Sequence, residues 1–120
     1  MGPAHVVALP AQLADALPIP VMADESLRAT AAMASIAAAA GIPCHGGTSI
    51  ESPVGTAASL HLACASPAVT WGSELFGPLL MREELLTTPL RYDGGDLHLP
   101  VGPGLGVELD PAAVAAFTRR

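Results

Sequence analysis

Two carboxylates stand where a β/α scaffold would put them to use. Asp24, in PIPVMADESL, follows a short apolar run, and Glu51, in GIPCHGGTSIESPVG, follows another. Each lies between the end of a candidate strand and the first turn of a candidate helix, the place where β/α proteins collect ligands and chemistry. An acid there has two physical uses. It can sit beside the positive end of the following helix dipole, where negative charge is favoured. It can also serve a ligand, because a carboxylate is a hard oxygen donor suited to Mg²⁺ or Mn²⁺ and a positioned acid can exchange a proton with substrate. Glu25 adjoins Asp24 and can support it from behind or act as a further first-turn acid. On spacing alone, both uses stand open for all three residues.

Other polar residues carry less. His45 has no second His or Cys at metal-binding spacing, and His61 falls inside an alanine-rich helical stretch. Ser26 and Ser49 lack the G-x-S-x-G setting of an activated nucleophile. The run GPGLG at 102–106 lacks both the G-x-G-x-x-G spacing and the strand–helix context of a dinucleotide site. Cys44 and Cys64 are embedded in apolar runs and read as reduced, buried thiols rather than a disulfide framework.

The elements that must position these groups are short. Spacing predicts a helix over 11–17 ending before Pro18, then a buried strand over 18–23. An alanine-rich helix over 27–41 is closed by Gly41, with Leu27, Met33, Ile36 and Ala40 on one face. A second strand over 42–45 leads into the GGTSIE loop. Ser52 suits a helix N-cap and Pro53 the first helical position of a helix reaching Ala65. A strand over 68–71 precedes the irregular GSELFGPLL; LRY and DLHLP flank Gly94-Gly95 as a hairpin; Asp110-Pro111 opens a last short helix through Phe117. Near-continuous apolar strands alternating with helices indicate an α/β fold of parallel β/α units, about three of them, plus the C-terminal hairpin and short helix.

Composition narrows the function. The 120 residues are 51% hydrophobic but only 3% aromatic, so the core is built from Ala, Leu, Val and Ile. Net charge is −6, and the largest basic cluster is Arg119-Arg120, which argues against nucleic acid and against anionic membrane surfaces. The longest alanine-rich run is too short to span a bilayer, and MGPAHVVALP lacks the positive start of a secretory leader, so a soluble cytoplasmic chain is expected. All five basic residues are arginine; there is no lysine.

Beyond residue chemistry, PIPVMADESL, GIPCHGGTSIESPVGTAASLHLA, VTWGSELFGPLL and LRYDGGDLHLPVGPGLGVELD together resemble the C-terminal barrel region of the muconate and chloromuconate cycloisomerases of the enolase superfamily. The resemblance covers residues 11–120, leaving 1–10 as an unmatched N-terminal segment, and TWGSELFGPLL is its most distinctive part. It implies a modified (β/α) barrel and a divalent metal, Mn²⁺ or Mg²⁺, that stabilises an enolate. The implied substrate is a small dicarboxylate: cis,cis-muconate or its chlorinated form, interconverted with the lactone in aromatic catabolism. Asp24 then matches a carboxylate metal ligand, Glu25 the acid beside it, and Glu51 a catalytic acid facing the substrate.

Amino-acid racemases and succinylbenzoate synthases share that metal-and-lysine plan and form the alternative within the superfamily. Two departures stand out. The lysines that the family uses for proton transfer are missing, and DESL runs straight into RATAAMASI, where the family has a further helix and a lysine-bearing strand. The expectation is therefore a partial barrel, truncated and internally shortened. Such a chain would be catalytically silent by itself, a remnant or interaction fragment, forming a homo-oligomer or associating through exposed barrel edges.

Overall fold

The computed structural model describes residues 30–118. The helix expected over 11–17, the strand over 18–23, Asp24, Glu25 and the start of the alanine-rich helix lie outside them. The described elements are α1 (Thr30–Ala40), β1 (Cys44–Gly46), α2 (Pro53–Ala65), β2 (Val69–Ser73), a 3₁₀ turn (Gly77–Leu80), the two-residue strands β3 (Tyr92–Asp93) and β4 (Asp96–Leu97), and α3 (Pro111–Phe117). They fall into two compact units whose division runs through β1 and β2.

The first unit takes the chain up to Cys44, together with Ser66–Trp71. Alanine favours the helix throughout α1, and its end is set by glycine chemistry. Gly41 has φ +68°, its N–H donates to Ala38 C=O (3.2 Å), and the Ile42 N–H donates to Ala37 C=O (2.9 Å). That pair of bonds is a Schellman motif, which satisfies carbonyls the helix would otherwise leave open. Cys44 N–H then donates to Ala68 C=O at 2.6 Å, and Ala68 is buried.

The second unit holds His45–Ala65 and the chain from Gly72 onward. Its core begins on α2, where Pro53, Thr56, Ala57 and Leu60 are buried. These four recur at i, i+3, i+4 and i+7, one face of a 3.6-residue helix. That helix packs on the 3₁₀ turn, whose Gly77 is buried too. Leu75 and Leu86 complete the buried aliphatic set. The Glu74 N–H donates to Gly46 C=O at 2.8 Å, so hydrogen bonds advance in the same direction along β1 and β2. The two strands form a parallel pair, and a parallel pair requires a crossover, which α2 supplies.

The C-terminal stretch is tied down by long-range bonds. Tyr92 Oη donates to Leu75 C=O (2.6 Å), and burial, aided by the negative charge of Glu84, raises its phenol above the usual tyrosine range. Leu86 bridges Leu109 in antiparallel fashion, flanked by Thr87 N–H to Glu108 C=O and Asp110 N–H to Leu85 C=O, both 2.9 Å. The β3–β4 hairpin turns at Gly94-Gly95, both at positive φ, with Tyr92 opposite Leu97. Asp110 caps α3, its Oδ1 accepting from Ala112 N–H at 2.8 Å, with Pro111 in the first turn. Within the described residues, the expected helices from 30 onward, the hairpin and the Asp110 cap are present. The strands run later than spacing suggested, to Gly46 instead of His45 and to Ser73 instead of Trp71.

A Cβ at Gly41 would meet nothing within 4 Å, so any cost of Gly41→Ala comes from the left-handed backbone alone. The substitution is expected to weaken the end of α1 by about 1 kcal/mol. Amide hydrogen exchange at Ile42 checks it, with exchange about fivefold faster in the variant.

Candidate active site

The C-terminal ends of β1 and β2 lie side by side, and the contact is tight. A Cβ at Gly46 would overlap Ser73 Oγ and come within 2.9 Å of Ser73 Cβ, so only glycine lets the strand ends approach this closely. Two acids follow these ends: Glu74 directly after β2, and Glu51 across the short loop between β1 and α2.

Glu51 is fastened at every polar atom of its side chain and along its backbone. Thr48 Oγ1 donates to Oε2, and Ser49 N–H donates to Oε1 at 2.9 Å. Thr48 Oγ1 also accepts from Ile50 N–H at 3.1 Å. The carbonyl of Glu51 accepts from Thr56 Oγ1, at 3.4 Å. Two glycines make room for it. A Cβ at Gly55 would stand 2.8 Å from Glu51 Cβ, and one at Gly77 would overlap the Glu51 carbonyl oxygen and lie 3.0 Å from its nitrogen. Between Thr48 and Glu51 the chain bends through Ile50, whose φ of +61° is the one positive value of a non-glycine among the described residues. For a β-branched side chain that conformation is an outlier, and Ile50 is 62% exposed, so burial does not account for it.

Electrostatics follow from these bonds. Burial pushes the Glu51 carboxyl upward, but the Thr48 hydroxyl and the N–H groups of Ser49 and Glu51 outweigh it and hold the group below the usual glutamate range. Glu51 is thus an anion and an acceptor at neutral pH. Glu74 differs: its side chain is exposed, and its Oε1 lies 4.0 Å from where a Gly47 Cβ would stand.

Of the residues singled out by sequence, the structure places Glu51 at the strand-end edge, while Asp24 and Glu25 lie outside the described residues. His61 is structural, its Nε2 bonded to Leu105 C=O at 3.0 Å, linking α2 to the PGLG turn. Glu74 was missed. A strand ending at Trp71 leaves Glu74 inside an irregular segment, whereas a strand ending at Ser73 makes it the residue at the strand terminus. Sequence offered no signal for it, because only the structural end of β2 at Ser73 puts Glu74 at a strand terminus.

Among the described residues, no three His, Cys, Asp or Glu side chains gather as a metal would require, so this part of the chain does not by itself fit a divalent ion. A separate cleft of about 660 Å³ opens in the second unit between residues 87–91 and 98–108, with Arg91, His98 and Glu108 among its lining groups. Arg91 is already paired with Asp93 at 3.0 Å. The described residues include no helix long and apolar enough to cross a membrane.

Parallel strands joined by a helix, with acids at their C-terminal ends, define a β/α unit, and comparison with known proteins assigns its family. Residues 5–113 match the enolase C-terminal domain-like family, to which this chain belongs. Muconate cycloisomerase 1 of Rhodococcus opacus is 47% identical over 137 aligned positions, covering 91% of this chain and 37% of the relative. Muconate cycloisomerase 1-2 of Acinetobacter lwoffii is 49% identical over 110 positions, covering 91% and 29%. The crystal structure of 2-chloromuconate cycloisomerase from Rhodococcus opacus 1CP superposes with a TM-score of 0.80 at 36% identity, covering 92% of this chain and 38% of that one. The chain therefore spans less than two fifths of the length of these relatives. In the first alignment, 137 positions hold about 109 residues of this chain (91% of 120), so about 28 positions of that relative have no counterpart here.

Two predictions concern this edge. Gly77→Ala is expected to cost about 1–3 kcal/mol by forcing Cβ into the Glu51 backbone, while Gly47→Ala, facing only a side-chain tip at 4.0 Å, stays within about 0.5 kcal/mol of wild type. Urea denaturation of both variants checks the contrast. Because the Glu51 carboxyl is held low in the folded state, its contribution is complete above the ordinary glutamate range and is lost as pH falls through the lowered value. Glu51→Gln is therefore expected to flatten the acid limb of the stability–pH curve, measured by thermal unfolding at stepped pH.

Proposed function

We propose that residues 11–120 form part of a muconate-cycloisomerase-type barrel that carries one wall of its active site, and that this chain alone does not turn over substrate. The observation that supports the lineage most directly is identity of 47–49% across 91% of the chain to proteins named muconate cycloisomerase. The substrate class is then a small unsaturated dicarboxylate, muconate or chloromuconate. Asp24 is the proposed carboxylate ligand for Mn²⁺ or Mg²⁺, with Glu25 beside it; the metal, when bound, would stabilise enolate charge next to the substrate carboxylate. Glu51 and Glu74 are the proposed acids of the wall, Glu51 as a fixed anionic acceptor and Glu74 as the exposed group.

The silence follows from proton chemistry. Moving a proton at the carbon beside a carboxylate needs a base whose pKa can be tuned near neutrality. Lysine meets that need when buried or crowded by charge, arginine does not, and this chain has arginine only. Over the aligned region the chain is about 28 positions shorter than the Rhodococcus opacus relative, which favours an internal shortening, while the Acinetobacter lwoffii relative aligns over 110 positions for the same 91% of the chain. Exposed Leu79 and Leu80 on the 3₁₀ turn favour association as the companion reading, either with a second copy or through the open barrel edge.

A muconate-consumption assay with Mn²⁺ tests the proposal, using the purified chain with Glu51→Gln and Glu74→Gln as controls. No turnover above the no-protein rate is expected. Turnover that either substitution abolishes would overturn the silence and show that a lysine-free site performs the transfer.

A further inference from the structure

Three hydrogen bonds lie within four residues, and two of them meet at the Thr48 hydroxyl. Thr48 Oγ1 accepts from Ile50 N–H and gives its single proton to Glu51 Oε2, while Ser49 N–H takes Oε1. A hydroxyl has one proton, so the acceptance from Ile50 leaves that proton committed to the carboxylate. The Glu51 backbone is held by Thr56 and Gly77, and Gly55 closes on the base of its side chain. Of the degrees of freedom left, the orientation of the carboxylate is the one Thr48 controls. The same loop holds an exposed, β-branched Ile50 in the left-handed region, a conformation its side chain disfavours.

We infer that Thr48 is the positioning residue for Glu51: its hydroxyl aims the carboxylate and makes it a hydrogen-bond acceptor toward whatever occupies the strand-end edge. Each carboxylate oxygen keeps a further acceptor position beyond the one the loop uses. That role of Thr48 rests on the reading of Glu51 as an acid of the site. The lowered titration of Glu51 agrees with it, since the hydroxyl is the largest of the influences that favour the anion.

The test is a ¹³C side-chain carboxyl NMR titration of the full chain, comparing wild type with Thr48→Val, which keeps the shape and removes the hydroxyl, and Thr48→Ser, which restores it. The amide spectrum of α2 monitors the fold. With the fold retained, Thr48→Val is expected to move the Glu51 midpoint upward and Thr48→Ser to return it to the wild-type position. A midpoint unmoved in Thr48→Val, with α2 intact, overturns the inference. Should Thr48→Val disturb α2, Thr48→Ala replaces it: raised in Ala and normal in Ser upholds the role, equal in both sinks it. No substrate enters the titration. A failed muconate assay and a failed positioning role are therefore distinguishable.

Discussion

The site depends on one close contact, Glu51 wedged with its side chain against the first turn of α2 and its backbone against the 3₁₀ turn after β2. Both neighbours present glycine at the contact, Gly55 and Gly77, and Thr56 adds a hydrogen bond to the Glu51 carbonyl. A packed interior leaves no slack for an extra methyl there. The loop, the crossover helix and the segment leaving β2 are consequently placed by the same few atoms. The strand ends obey a similar constraint, since Gly46 admits no side chain beside Ser73. Thus the geometry that brings Glu51 and Glu74 to one edge is a consequence of small residues at three points, with the acids themselves contributing little to it.

Around that contact the hydrophobic layer is thin. Few large side chains are fully buried in the described residues, and the α2 face relies on Pro53, Thr56, Ala57 and Leu60. With aromatic residues at 3% of the chain, burial per residue is modest, and specific polar bonds carry a larger share of the ordering. Tyr92 to Leu75 and His61 to Leu105 connect residues 17 and 44 positions apart, and each anchors a segment with little regular structure of its own. Such bonds contribute about 1 kcal/mol each when made and cost more when a buried partner is left unmet.

What sequence revealed was local. Gly41 ended α1 because a left-handed cap is a glycine position, Ser52-Pro53 opened α2 and Asp110-Pro111 opened α3 because capping chemistry is written in adjacent residues, and Gly94-Gly95 turned the hairpin for the same reason. What sequence concealed was tertiary. Strand ends depend on which neighbour offers hydrogen bonds, and β2 continues to Ser73 because Gly46 accepts from Glu74, which no pattern within TWGSELF discloses. The fastening of Glu51 was hidden likewise. Thr48 is close in sequence, but Gly77 lies 26 residues further on than Glu51 and meets it only in the fold.

Family membership and the proton transfer proposed above to be missing rest on different physical requirements. Fold resemblance rests on packing and caps, which tolerate substitution, and those features persist along this chain at nearly half identity to its relatives. Proton transfer rests on particular groups with tunable protonation, and tolerance does not extend to them. Arginine carries charge and contacts anions but does not deprotonate usefully near neutral pH, as a tuned lysine can. The described wall retains carboxylates and hydroxyls suited to accepting or holding hydrogen bonds, with Glu51 kept anionic by its own loop. An edge built this way presents an oriented hydrogen-bond acceptor, set in place by the same loop that keeps it charged.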